Sequence, residues 1–247
     1  MRKLYFLLVL LSVGTTSRAQ LWGGGVDDEN YHFGFAFQYV SSELKILKNK
    51  DWRLPFFDAV NNTYVTDELS AIYAKPSPGF GVGFVFNYRL SNNADVRITP
   101  TLIFNDRIVY YKYVEPPIYN TSTSLTQRTI QSTMAEFPFG IKLKSDRRKN
   151  IRAYILGGGK YSLDIASKKK LDDLGSSPVD KLLKTKKNFF SYEAAVGLDL
   201  YFENFKLSPE VKLSYSVKDV LIHDNHPYAT PIDKMMLRHF TFSLFVE

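Results

Sequence analysis

From Tyr31 onward, hydrophobic and polar residues exchange places at every second position, the period of a strand with one apolar and one polar face. Tyr31, Phe33, Phe35, Phe37 and Tyr39 alternate with His32, Gly34, Ala36 and Gln38. Phe80, Val82, Phe84, Phe86 and Tyr88 repeat the pattern, then Val96, Ile98, Leu102 and Phe104. The phase fails over 108–114, which places a bulge or strand end near Asp106. Further apolar stripes begin at Ala135, Ile151, Phe190, Phe205 and Phe240. The pattern predicts eight strands.

The connections carry separate information. Long ones are expected at 41–78, 115–128, 167–187 and 219–236, and short ones at 91–94, 146–150 and 203–204. Long and short alternate, as in membrane barrels with tight periplasmic turns and larger outer loops. The fold class predicted is all-β: an eight-stranded antiparallel up-and-down transmembrane β-barrel with long extracellular loops.

Alternation alone does not say which face points outward, because a soluble lipocalin-like barrel is apolar inside. The polar face here carries Arg89, Arg97, Glu136, Lys142, Arg152, Lys160, Asp164, Glu193, Asp199, Lys206, Glu210 and Lys212. A small barrel has room inside for side chains but not for a pore, so this set is expected to plug the lumen as a network of paired charges. Several apolar faces run long enough to cross the hydrocarbon layer at the usual tilt. Aromatics bunch where interfacial girdles are expected: Tyr110, Tyr111 and Tyr113; Phe189, Phe190 and Tyr192; Tyr201, Phe202 and Phe205. These features favour the membrane barrel, and the lipocalin-like alternative also lacks a Gly-x-Trp in its first strand.

Composition agrees with export. Arg2 and Lys3 precede the apolar run 4–11, and Ser17-Arg18-Ala19 precedes Gln20. This is the pattern of a cleavable signal peptide over 1–19, cut near Ala19-Gln20, with a single barrel domain over 20–247. The apolar run is too short to span a bilayer. A net charge of +7 in 247 residues, dispersed among acids, argues against a nucleic-acid partner. With no cysteine, disulfides and thiolate chemistry are excluded.

Few motifs offer chemistry. His223-Asp224-Asn225-His226 with Asp233 has metal-binding residue types, but reads as a solvated loop. Gly157-Gly158-Gly159-Lys160 lacks the first glycine and the Ser or Thr of a phosphate loop, and reads as small residues in a bending strand. The carboxylates Glu136, Glu193, Asp199 and Glu210 are acid/base candidates, or simply partners of Arg97, Arg152 and Lys212. His239 is the inward-facing histidine near the outer rim, without an identifiable catalytic partner. The lysine runs 168–170 and 184–187 read as a solvated face that can meet lipopolysaccharide or an acidic partner.

The stretches Ala135-Glu136-Phe137-Pro138-Phe139-Gly140-Ile141-Lys142-Leu143, Gly158-Gly159-Lys160-Tyr161-Ser162-Leu163 and Ala195-Val196-Gly197-Leu198-Asp199-Leu200-Tyr201-Phe202 resemble the PorT (SprT) family of Bacteroidetes outer-membrane barrels. The resemblance implies a component of the type IX secretion system, which exports protein cargo and serves gliding motility. It carries no catalytic residues, no cofactor and no small-molecule substrate. The expected partners are outer-membrane lipid and other secretion proteins, the latter docking on loop 41–78 through Trp52, Phe56 and Phe57. A plugged barrel implies an accessory or assembly subunit, not an enzyme. The alternatives are a structural or adhesion barrel and a lipid A-modifying barrel enzyme.

Overall fold

A computed structural model describes residues 30–114, 125–165 and 177–247. The expected signal peptide and the lysine run 168–170 lie outside the described residues. The wall is built from β1 (Tyr31–Lys48), β5 (Ser77–Ser91), the pair β6 (Ala94–Ile98) and β7 (Thr101–Asn105), β10 (Thr133–Lys144), β11 (Ile151–Asp164), β12 (Asn188–Tyr201), β13 (Lys206–Ser216) and β14 (Ile232–Val246). Each pairs antiparallel with its neighbour, and β1 pairs with both β5 and β14, which closes the barrel. Since β6 and β7 are two halves of one stave, the barrel has eight staves. Their interruption falls at Pro100, which has no N–H for the ladder.

Closure removes every strand edge, and in hydrocarbon that is the condition for a sheet to cross. Across the middle of the wall the apolar faces point out: Phe33, Phe84 and Phe190 are all more than 60% exposed, while Arg97, Lys142 and Glu210 opposite are at most 1% exposed. Fold class and facing are therefore as expected.

Toward the long-loop end the sidedness inverts without a change of phase. On β14 the outward residues are Val246, Leu244, Phe242 and Phe240, then Arg238 and Lys234; the inward ones are Ser243, Thr241 and His239, then Leu237 and Met235. On β1 outward Phe37 and Tyr39 give way to Glu43 and Lys45, while inward Gln38 gives way to Val40 and Leu44. Below this level the outside is lipid. Above it the outside is water, so the greasy face turns inward.

Beyond the inversion stands a cap. It contains the hairpin β2 (Phe57–Asp58) and β3 (Thr63–Tyr64), and a three-stranded sheet of β4 (Leu69–Ala74), β8 (Arg107–Tyr113) and β9 (Leu125–Ile130). The strand end expected near Asp106 is present, but burial alternates unbroken from Thr101 to Tyr113. What changes there is the partner sheet, from wall to cap. The connections read as loops at 41–78 and 115–128 thus include strands, and β1 continues eight residues past Val40. Tyr111, Tyr113, Phe189 and Tyr201 do not join a membrane girdle as expected; they are buried and inward-facing, because the parity of their strands places them so.

Candidate functional site

The lumen is the first candidate, and its charges stack in layers along the barrel axis. Near the short-turn end, Lys144 Nζ meets Asp95 Oδ1 at 2.6 Å and Lys206 Nζ meets Glu247 Oε2 at 3.0 Å. Arg89 is half-buried here, in register with Asp95.

Arg97 is the hub of the next layer. Its Nε donates to Asn87 Oδ1 at 2.7 Å, and its Nη1 donates to Glu210 Oε2 at 2.9 Å. The Tyr154 hydroxyl donates to the same Glu210 oxygen at 3.0 Å. The guanidinium lies between two rings, 5.1 Å from Tyr154 and 4.7 Å from Phe245, a cation–π arrangement that fixes its plane. Beside it Lys142 Nζ reaches both oxygens of Asp199, at 2.8 and 2.7 Å, and Ser208 Oγ donates to Asp199 at 2.7 Å. Gly197 makes this layer possible: a Cβ there would strike the Tyr154 ring.

Higher up, Lys212 bridges Glu193 at 3.1 Å and Glu210 at 3.6 Å. Lys160 Nζ lies 2.7 Å from Glu136, 3.2 Å from Ser214 Oγ and 3.3 Å from His239 Nδ1. The top layer runs from Arg107 through Ser132 to Asp164, each step 3.0 Å. Arg152 is buried and in register with Asp199.

Of the twelve lumen residues singled out from the sequence, eleven are buried and Arg89 is half-buried. The carboxylates meet the anticipated Arg97 and Lys212 in part, Glu193 through Lys212. Asp199 and Glu136 find lysines on other strands, and Glu210 is shared between Arg97 and Lys212. Sequence reasoning passed over Asp95, Lys144 and Glu247, which sit where strand patterns shade into turns. Tyr154 and Phe245 were passed over too, because an aromatic on a polar face looks like noise until a buried guanidinium is set against it.

The cap is the second candidate. Its interior is a continuous apolar core that includes Leu44, Leu69, Ile72, Val109, Tyr111, Leu183, Leu221, Tyr228 and Met235. The Tyr111 hydroxyl donates to the Tyr228 carbonyl at 2.7 Å, and burial pushes its ionisation well above the ordinary tyrosine range. The segment 219–236 is therefore not a solvated loop: Val220, Leu221, Tyr228, Ala229 and Ile232 fold down over the barrel mouth. His226 is buried, and His223 Nε2 sits 2.9 Å from Asp219 Oδ2. Among the described residues no cluster suited to a metal forms here.

Asp219 staples this segment. Its Oδ1 accepts the N–H of Leu221 at 3.1 Å and of Met235 at 2.8 Å. Burial opposes its ionisation, but these two N–H groups, His223 and Lys186 outweigh it and hold the carboxyl below the usual range. The lysines read as a solvated run are partly engaged, Lys184 facing Asp224 at 3.5 Å and Lys186 facing Asp219 at 3.5 Å.

Trp52 and Phe56 are half-buried against the cap, with Lys48 Nζ 3.9 Å over the Trp52 ring. Phe57 is exposed on the β2–β3 hairpin, edge-on to Tyr64 at 5.2 Å. The three line a groove of about 370 Å³ whose far wall is Asn225, Pro227 and Thr230.

No curated protein matches the chain in sequence. Among solved structures, OprG from Pseudomonas aeruginosa is 12% identical with a TM-score of 0.47, covering 87% of this chain and 92% of its own. Neisserial surface protein A is 11% identical with a TM-score of 0.40, covering 88% and 99%. Ail, the attachment invasion locus protein of Yersinia pestis, is 12% identical with a TM-score of 0.38, covering 88% and 99%. The family model described as "Outer membrane protein beta-barrel domain" matches residues 30–221. A closed eight-stave wall, greasy outside and charged within, belongs in the outer membrane, and this chain is a member of that outer-membrane β-barrel domain family.

Proposed function

We propose that this chain is a non-enzymatic accessory or assembly component of the type IX protein secretion and gliding machinery, acting through its surfaces and not as a conduit. The observation that carries the non-conduit half is the filled lumen: Arg97, Lys142, Asp199 and Glu210 are each at most 1% exposed, under an apolar cap. A barrel of this size, packed with side chains, leaves no path for a folded cargo. The secretion half rests on the Glu-x-Pro and Gly-rich strand motifs at Glu136-Phe137-Pro138 and Gly158-Gly159-Lys160, which resemble the PorT family. In this reading the lumen charges hold the barrel in register, and secretion partners meet Trp52, Phe56 and Phe57 around the cap groove.

Deleting the gene is expected to abolish export of type IX cargo, while the purified chain in a planar bilayer shows no large stable conductance. Normal export from the deletion strain would leave the structural or adhesion reading in possession. Large conductance would overturn the plugged-barrel reading itself.

A further inference from the structure

On the lipid-facing side of β5, β1 and β14 two features lie one above the other. The lower is a groove of about 320 Å³ walled by Phe37, Tyr39, Phe80, Val82, Phe242 and Leu244. Phe37 and Val82 also line a second apolar hollow of about 380 Å³, so the two adjoin. The second hollow lies at the break in the β6–β7 stave. Pro100 breaks the β6–β7 stave, and the facing Gly83 has no side chain, since a Cβ there would collide with the Pro100–Thr101 backbone.

The upper feature is a charge cluster on the same strands, just above the sidedness inversion. Glu43 on β1 is in register with Arg238 on β14 and bonded to it, and the same carboxylate takes Lys45 Nζ at 2.6 Å. One carboxylate thus holds two cations side by side and leaves a positive excess. Lys45 and Arg238 keep 39% and 37% of their side chains exposed. Arg238 is four residues along β14 from Phe242, about 13 Å at strand rise. That is the distance from a headgroup phosphate to the middle of an acyl chain.

We infer that this face binds one anionic, phosphate-bearing lipid of the outer leaflet, its phosphate on Arg238 and Lys45 and its acyl chain along the groove between Tyr39 and Val82. Each half follows from ordinary chemistry. An arginine with a neighbouring lysine at the headgroup level forms charge-assisted bonds to phosphate oxygens. A long recess among projecting rings takes a flexible chain better than it takes a second rigid barrel wall. The two halves also require each other: neither free phosphate nor an uncharged lipid satisfies both.

The test uses the full chain in nanodiscs of phosphatidylcholine doped with phosphatidic acid, with retained lipid read by native mass spectrometry. The wild type is expected to retain phosphatidic acid in preference to phosphatidylcholine by about fivefold, from roughly 1 kcal/mol for the one cation that Glu43 leaves uncompensated at the headgroup level. Lys45→Ala with Arg238→Ala is expected to bring the ratio near parity. Val82→Phe, which fills the groove from the lipid side, is expected to lower retention of both lipids. Arg148→Ala with Lys149→Ala, exposed in the short turn between β10 and β11 at the other end of the barrel, is expected to change nothing. Excess inorganic phosphate is expected not to displace the lipid. An unchanged ratio in the Lys45/Arg238 variant, displacement by inorganic phosphate, or equal loss in the Arg148/Lys149 variant would overturn the inference.

Discussion

The lower barrel and the cap share strands yet solve the problem of an interior in opposite ways. In the lower barrel the inside is ionic, with Arg97, Lys142, Asp199 and Glu210 stacked in hydrogen-bonded layers. In the cap it is aliphatic and aromatic, with Leu44, Tyr111, Leu221 and Met235 in one cluster. The difference follows from what lies outside. Where the outer face must dissolve in acyl chains, alternation sends every polar group inward, and the hydrophobic effect cannot drive the packing of the interior. Where the outer face meets water, it can. The lumen is therefore held by electrostatics, which needs partners in register, and the cap by burial, which needs only volume.

The largest expected effect comes from breaking a lumen pair. Lys142→Met deprives the Asp199 carboxylate of the cation bonded to both its oxygens, leaving it Ser208. Removing one partner of a buried pair costs about 3–5 kcal/mol. The expected outcome is a marked loss of stability in urea unfolding from detergent micelles. Pairing that change with Asp199→Leu removes the orphaned charge, and most of the loss is expected to return. If the double variant is as unstable as the single one, the lumen is not governed by charge pairing.

How much of this was visible in the chain divides along the same boundary. The staves were legible wherever an apolar stripe faces lipid, since Tyr31 to Tyr39 or Phe240 to Val246 shows its period directly. The ends were not, because the stripe changes sides. β1 looks finished at Ser41 and β14 looks unstarted before His239, although both continue in phase as wall and then as cap. Twelve charges on the polar face were legible as inward candidates, but their partners only in part. Which lysine meets Asp199 depends on stagger across non-neighbouring staves, such as β10 to β12, and strand periodicity contains no term for that. The cap was read as polar connection because His223, Asp224 and Asn225 stand out, while the apolar residues around them show no regular period.

The cap should respond to volume rather than to charge. Leu221→Ala empties a fully buried position beside Val220 and Met235. A truncation of this kind costs about 2–4 kcal/mol when the site cannot collapse. The loss is expected to be local: faster hydrogen exchange in 217–236, with the unfolding midpoint of the wall unchanged. A fall in the wall's stability of the same size would mean that cap and barrel are one cooperative unit, and the contrast between them would be geometric only.

The smallest effect expected is also the most diagnostic, because Asp219 is where charge serves the apolar region. Its carboxylate accepts from the N–H groups of Leu221 and Met235, so it clips the descending segment to the start of β14. Asp219→Ala is expected to cost about 1–2 kcal/mol, as for hydrogen bonds to a charged group that water partly reaches. The pH dependence has a definite sign. The folded carboxyl is held below its ordinary value, so its contribution is complete above about pH 4 and is lost as the pH falls through the folded value. Hydrogen exchange at Leu221 and Met235 in the wild type should therefore show extra opening below about pH 4, beyond the intrinsic pH trend. The Asp219→Ala variant should show that opening at every pH. If the wild-type cap is equally closed down to pH values where Asp219 is protonated, the clip is incidental, and burial of Leu221 alone holds the segment in place.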